Sequence, residues 1–284
     1  MAVWRFFIKE RLLRKLTVKT AIVAAALFLF AAGCGTRERA RIEIDFSNAA
    51  EWRYLLGVDI SGTPLGADSG QYFSGSLRAY LQGLPGEVGE GPLRCGLTDI
   101  TLIAPFLPED ERSEIERRLS EVRVAVSEDG VTFSDTTGIP GLLSGGWDIM
   151  RSPARVIPAM PNAEMAVGSS WDREQRFPLT IPQGEAEGRL YQLYMLDSLY
   201  KTPEGVPVAA VSWKFSYRVA LSEAKPDEKA RGQRRFLLEG SGRGSAVLDL
   251  NRKKLVKSQA TFQVMHSSVT GTDINEVVHF EMIE

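Results

Sequence analysis

Val211-Ser-Trp-Lys-Phe-Ser-Tyr-Arg-Val-Ala-Leu221 alternates apolar and polar side chains along most of its length. Because successive side chains of a β-strand point to opposite faces, this alternation predicts a strand with one buried face and one wet face. Such strands are typical of antiparallel sheets, since parallel sheets are usually covered on both faces. The apolar positions are Val211, Trp213, Phe215, Tyr217, Val219 and Leu221, and the polar ones are Ser212, Lys214, Ser216 and Arg218.

The segments around this strand predict a meander of successive hairpins. Thr202-Pro-Glu-Gly205 and Asn251-Arg-Lys-Lys254 have the composition of turns, and each separates two strand-like segments. Strands of about 10–14 residues are typical of a strongly curved sheet or an open barrel. The expected strands cover residues 52–60, 190–200, 208–221, 236–250, 255–268 and 275–283.

One segment predicts a helix. Pro108 and the acidic residues after it suit a first helical turn, and Ile115, Leu119 and Val122 form an apolar stripe at helical spacing. The expected fold class is therefore mainly β (α+β), a long curved antiparallel sheet or open half-barrel with one covering helix.

The N-terminus has the composition of an export signal. A basic segment precedes the apolar run Ala21 to Ala32, which is shorter than the roughly 17–25 residues of a transmembrane helix. Ala31-Ala-Gly-Cys34 resembles the lipobox of bacterial lipoproteins, although Ala31 stands where leucine is usual. An uncleaved anchor beginning near Leu12 and an ordinary signal peptide with a chance cysteine are alternatives. Both also place the body of the chain across the membrane.

The lipobox resemblance implies a domain layout and a location. Residues 1–33 would be a signal peptide cleaved between Gly33 and Cys34, and Cys34 would carry a lipid anchor (a diacylglycerol, with palmitate as acyl chain). Residues 34–41 would form a tether and residues 42–284 a β-rich extracytoplasmic domain, with a possible subdivision near 152–162. The expected location is the cell envelope, and in a host with two membranes the periplasmic face of the outer one.

The charge balance excludes some partners. The chain has 34 basic and 36 acidic residues, of which six basic and one acidic lie in residues 1–33, so residues 34–284 carry 28 and 35, a net charge near −7. This sign argues against nucleic acid and against broad binding to anionic membranes. The expected membrane contact is the N-terminal lipid, with weak headgroup contacts from Arg37, Arg39 and Arg41.

A second resemblance covers roughly residues 155–270. Ile157-Pro-Ala-Met-Pro161, Val167-Gly-Ser-Ser-Trp171 and Gly242-Arg-Gly-Ser-Ala-Val-Leu-Asp249 are similar to a pattern in uncharacterised secreted bacterial lipoproteins. Ser169 replaces the acidic residue that is usual there. The resemblance implies location and a β-rich fold only. In physical terms, Gly168 favours a turn and Trp171 an aromatic anchor for the next strand.

The sequence contains no recognised catalytic or cofactor motif, so an enzyme is not expected, nor is a cofactor or metal. Cys95 lies in a strand-like alternation that predicts a buried structural thiol. His266 and His279 would face each other only if the last hairpin turned at Thr272-Asp273, and with Glu281 they could then bind a metal. Two unrelated strand histidines are the simpler interpretation.

Three functions remain open. The first is a non-enzymatic binding or assembly module that presents a concave apolar face to an apolar ligand or an envelope protein. The second is an envelope hydrolase using paired carboxylates such as Glu43 and Asp45, and the third is a purely structural envelope component. Four tryptophans could line the concave face in the first hypothesis, but they could equally be ordinary core residues. They are Trp52, Trp147, Trp171 and Trp213.

Overall fold

The computed structural model describes residues 38–45, 52–64, 73–84, 92–134, 151–181, 184–221, 236–267 and 272–282. Arg39–Glu284 form one compact unit. Its elements, in chain order, are β1 (Arg39–Ile42), β2 (Arg53–Pro64), β3 (Phe73–Gly83), β4 (Leu93–Ile103), α1 (Glu109–Glu121), β5 (Arg123–Ser127), β6 (Gly130–Ser134), α2 (Ser152–Val156), β7 (Ala163–Ala166), β8 (Ser170–Ile181), β9 (Gly184–Lys201), β10 (Pro207–Leu221), β11 (Phe236–Asp249), β12 (Lys254–Ser267) and β13 (Thr272–Met282).

Eleven of these strands form one antiparallel sheet that nearly closes into a barrel, which confirms the predicted fold class. The order is β6-β5-β4-β3-β2-β13-β12-β11-β10-β9-β8. The sheet is thus two meanders, β2–β6 and β8–β13, joined where β13 pairs with β2, with Val278 opposite Val58. Both predicted hairpin turns are confirmed, since β9 pairs with β10 and β11 with β12.

Side chains bring the two edge strands of the sheet together. Gln175 on β8 donates from Nε2 to the carbonyl oxygen of Asp129 in the β5–β6 turn, at 3.0 Å. The guanidinium of Arg173 lies 3.9 Å from the Asp129 carboxylate. The barrel is therefore closed at this point by side chains instead of a backbone ladder.

A two-stranded sheet and two helices complete the described part of the chain. β1 (Arg39–Ile42) pairs antiparallel with β7, so the last three residues of the range predicted as a tether, 39–41, lie in a strand. Helix α1 follows Pro108 as predicted, and it buries Ile115 and Leu119 beside β4. Helix α2 has only five residues and has no counterpart among the expected elements.

Residues 151–160, called the internal segment below, are buried throughout and include α2. The Ser258 hydroxyl donates to the carbonyl oxygen of Val156 at 2.5 Å, and the Ala159 amide donates to the Tyr194 hydroxyl at 3.1 Å. The guanidinium of Arg155 lies 4.9 Å and 4.6 Å from the ring centroids of two aromatic residues of the sheet, Tyr217 and Phe262. The segment near which the sequence allows a subdivision therefore fills the interior of the sheet.

A row of glycines on β11 makes room for the large aromatic side chains of its neighbours. A Cβ atom added at Gly242 would lie 2.2 Å from Cζ of Phe215, and one at Gly244 would lie 2.2 Å from the indole of Trp213. Such distances are far below van der Waals contact, so the rings of β10 lie directly against the β11 backbone. The glycine-rich stretch 240–245 is therefore part of a strand that packs against aromatic rings.

Candidate functional site

The predicted lipidation site, Cys34, and the residue before the predicted cleavage, Gly33, lie outside the described residues. Lipidation, cleavage and location accordingly remain predictions from the sequence. No described helix is long and apolar enough to cross a membrane.

The thiol of Cys95 is fully buried, as predicted. Burial raises the pKa of this thiol to about 12, because the apolar surroundings disfavour the thiolate. Since the thiolate is the nucleophile of cysteine chemistry, Cys95 is a structural residue.

Cys95 is expected to be unreactive toward a maleimide in the native, lipidated chain and to react as one thiol per chain after unfolding in urea. Intact-mass measurement counts the maleimide groups bound per chain before and after unfolding. Rapid labelling of the native chain would contradict the burial of Cys95. Two reactive thiols after unfolding would contradict lipidation of Cys34, because the chain has only two cysteines.

Of the two carboxylates in the hydrolase hypothesis, that of Glu43 has a structural role in the described part of the chain. The Glu43 carboxylate lies 2.7 Å from Nζ of Lys253 and 2.6 Å from Nε of Arg41, and these hydrogen bonds lower its pKa. The Asp45 amide donates to the carbonyl oxygen of Lys253 at 2.8 Å. Both acids follow β1, which ends at Ile42, so neither lies in a strand. A carboxylate held ionised by two cations is poorly suited to act as a general acid.

Replacing Glu43 by glutamine is expected to cost about 0.5–1 kcal/mol of unfolding free energy near neutral pH, as for partly exposed ion pairs. Because the folded-state pKa of Glu43 is lowered, its stabilisation is present above the unfolded-state pKa of about 4.3 and is lost as the pH falls through the folded-state value. Urea unfolding at neutral and at strongly acidic pH measures the difference. The exposed Glu281→Gln variant is the control, and an undiminished effect of E43Q in acid would contradict the ion pair.

The hypothesis of a histidine pair is wrong in its register. His279 lies opposite Gln259 on β12, and His266 lies opposite Glu239 on β11. The cause is that Thr272 and Asp273, the expected turn, already belong to β13, so the chain reverses earlier, after β12 ends at Ser267. Among the described residues, no group of three or more His, Cys, Asp or Glu side chains could hold a metal ion.

The described tryptophans belong to the core, which is the alternative that the sequence left open. Trp52, Trp171 and Trp213 are all buried, and the Trp171 indole donates from Nε1 to the carbonyl oxygen of Ala159 at 2.9 Å. The Trp171 ring stacks on Tyr194 with centroids 5.3 Å apart. Trp147 lies outside the described residues. The inner face of the β8–β13 half therefore packs against the internal segment.

The outer face of β9 carries three exposed apolar side chains in succession. Tyr191 is 44% exposed, Leu193 47% and Met195 44%, while the alternate residues Leu190, Gln192, Tyr194 and Leu196 are buried. We call these three exposed residues the β9 stripe. Contiguous exposed apolar surface of this kind is typical of interaction sites, whereas single exposed apolar residues are ordinary.

A groove of about 580 Å³ lies next to the stripe on the outer face of β10, β11 and β12. Lys214 and Arg243 are directly opposite each other across β10 and β11, and both are exposed. Among the described lining residues these two are the charged ones. We call this site the cationic groove; its outward-facing lining residues are Lys214, Ser241, Arg243, Thr261, Gln263 and Val277.

A second groove, of about 510 Å³, lies nearby on the same sheet. Its charged lining is mixed, because Asp197 and Glu281 accompany Lys257. Lys257 and Glu281 are opposite each other across β12 and β13. The two grooves therefore differ in charge: the described charged residues of the cationic groove are all positive, whereas those of the second groove have both signs.

The sequence contains a signal for the β9 stripe but none for the cationic groove. Leu190-Tyr-Gln-Leu-Tyr-Met-Leu196 is apolar at nearly every position, which indicates a strand that is apolar on both faces. Lys214 and Arg243 are far apart in the chain, and only the β10–β11 register brings them together.

The chain matches no model of a known protein family, and no curated protein is significantly similar to it.

Proposed function

We propose that this chain is a lipid-anchored extracytoplasmic lipoprotein of the cell envelope and that it is a non-enzymatic binding module. Its binding surface is the outer face of the sheet at the β9 stripe. The observation that carries this proposal is the succession of three half-exposed apolar side chains, Tyr191, Leu193 and Met195, on one strand.

The packing of the interior supports a binding surface on the outer face. The sequence-based hypothesis expects an apolar ligand on the concave face. In the described part of the chain that face is covered by the internal segment, whose residues are all buried. The β9 stripe, in contrast, remains open to solvent between the polar residues of its neighbours, such as Asp172 on β8 and Ser216 on β10.

The N-terminal sequence supports the envelope location. The lipobox-like Ala31-Ala-Gly-Cys34 ends only a few residues before β1 begins at Arg39. A lipid on Cys34 would therefore hold the binding module at a membrane surface, where an apolar ligand or an envelope protein is the natural partner.

Photo-cross-linking in cells tests the binding surface. A photoreactive amino acid at Leu193 of the full-length chain is expected to give a defined adduct with a lipid or an envelope protein. The matched control is Ile103, which is 53% exposed but lies on β4, in the other half of the sheet. Adducts at Leu193 alone support the proposal; equal adducts at both positions, or none at either, contradict it and favour a passive structural component.

A further inference from the structure

We propose that the cationic groove is a binding site for a phosphate group that carries an apolar substituent, such as the headgroup of an anionic phospholipid. The proposal deepens the proposed function by naming a ligand class for the outer face, and it rests on that function for the membrane as the ligand's source. The geometry that carries it is the opposed pair Lys214 and Arg243 beside the β9 stripe.

The arrangement of Lys214 and Arg243 is unfavourable without a ligand. Directly opposite residues of an antiparallel pair have Cβ atoms only about 4.5–5.5 Å apart, and like charges at such positions are destabilising. An anion bound between the two side chains would turn this repulsion into two attractions. The pair therefore has a physical reason to bind an anion that a single exposed cation lacks.

Other arginines on the sheet have carboxylate partners. Arg218 lies 2.8 Å from Glu239, Arg176 lies 3.1 Å from Glu174, and Arg78 lies 2.9 Å from Asp59. Among the described residues, no carboxylate is within ion-pair distance of Lys214 or Arg243. The net charge of residues 34–284 is negative, so the positive charge at this groove is opposite in sign to that of the chain as a whole.

The polar lining of the groove fits a phosphate group. Arg243 offers a fork of N–H donors that matches phosphate oxygens, and Lys214 adds a second positive charge. Gln263 contributes an amide N–H, and Thr261 contributes a hydroxyl that lies 3.5 Å from the carbonyl oxygen of Arg243. A volume of about 580 Å³ is ample for a headgroup.

The apolar part of the ligand has a place beside the groove. Lys214 has Arg243 opposite it on one side and Leu193, the centre of the β9 stripe, opposite it on the other. An amphiphile with its phosphate at Lys214 and Arg243 would therefore lay its apolar chain along the stripe. This adjacency favours a phospholipid over a free phosphorylated metabolite.

Calorimetric titration of the full-length chain in uncharged detergent micelles tests the inference. The probes are dihexanoyl phosphatidylglycerol, dihexanoyl phosphatidylcholine and inorganic phosphate. The wild-type chain is compared with the double variant Lys214→Gln/Arg243→Gln. A control with the same change in charge is Arg252→Gln/Lys257→Gln, whose residues do not line the cationic groove.

The wild-type chain is expected to bind phosphatidylglycerol at least tenfold more tightly than the Lys214→Gln/Arg243→Gln variant and within about twofold of the control variant. Binding of inorganic phosphate with the same dependence on Lys214 and Arg243 supports the anion site and identifies soluble phosphates as a source. Equal binding by all three chains, or no binding of any probe by the wild type, overturns the inference.

Two further readouts keep these outcomes distinct. The Lys214→Gln/Arg243→Gln variant is expected to unfold at a temperature no lower than the wild type, because it removes a like-charge pair. A large decrease in the unfolding temperature would assign the two side chains a structural role and overturn the inference.

Failure of the titration together with specific cross-linking at Leu193 would refute the phosphate site and leave the proposed function standing. Titration as expected without cross-linking at Leu193 would refute the proposed surface and leave the anion site standing.

Discussion

Replacing Cys34 by alanine is expected to abolish incorporation of labelled palmitate into the protein and to leave residues 1–33 attached. The physical reason is that in bacterial lipoproteins a diacylglycerol group is transferred to the sulfur of this cysteine. Alanine has no nucleophilic atom at that position. Lipid extraction followed by gel electrophoresis of labelled cells measures both effects, since the uncleaved chain is larger by the length of the signal peptide.

The second cysteine provides the matched control for the Cys34 variant. Cys95→Ala removes a buried thiol from the core but leaves the lipobox-like sequence intact, so labelling and cleavage should match those of the wild type. Palmitate labelling that persists in Cys34→Ala would contradict lipidation at this residue. Loss of labelling in both variants would point to failed export or folding instead of a lost lipid site.

Replacing Trp213 by alanine is expected to lower the free energy of unfolding by about 3–5 kcal/mol, the range for deleting a large aromatic side chain from a core. Trp213 is 2% exposed, its ring lies 5.6 Å from that of Tyr194, and its indole covers the backbone of Gly244. Because Gly244 has no side chain, nothing on β11 could fill the cavity. The midpoint of urea unfolding, followed by circular dichroism, measures the loss.

Tyr191→Ala is the control for Trp213→Ala, because it removes an aromatic side chain from the neighbouring strand β9 on the opposite face of the same sheet. A half-exposed tyrosine on the outer face should contribute less than about 0.5 kcal/mol. Equal losses of stability for the two variants would contradict the assignment of Trp213 to the core and of Tyr191 to a binding surface.

Strands β9 to β13 are predictable from the sequence because each has a clear local signal, whereas β8 is not among the expected strands. The alternation over 211–221 and the turn Thr202–Gly205 depend only on neighbouring residues, and they predict the β9–β10 hairpin. The pairing of β2 with β13 has no local signal, since the two strands are separated by most of the chain. The near-closure of the barrel follows from that pairing and could not be predicted without it.

The internal segment escaped prediction for a different reason. Residues 151–160 contain two prolines and no apolar periodicity, which is the composition of a surface connection. Yet side chains of the sheet hydrogen-bond to the backbone of the segment, since Ser258 donates to the Val156 carbonyl oxygen and Tyr194 accepts from the Ala159 amide. A buried connection needs such polar partners, and their positions are fixed by the tertiary structure.

One part of the candidate site is predictable from local sequence, and the other depends on the tertiary structure. The β9 stripe has a sequence signal, because residues 190–196 are apolar on both faces, whereas the cationic groove is created by strand register. Register also decides the histidine hypothesis, because the chain reverses earlier than expected between β12 and β13, which places Gln259, not His266, opposite His279. A shift in the pairing register of two strands changes which side chains face each other but leaves the strands themselves in place.

Intact-mass spectrometry of the gene product purified from bacterial membranes tests directly whether this chain is a lipid-anchored envelope protein. We expect a chain whose N-terminal residue is Cys34 and which carries the additional mass of a diacylglycerol. An unmodified chain that begins at Met1, or a processed chain with a free thiol at Cys34, would contradict it.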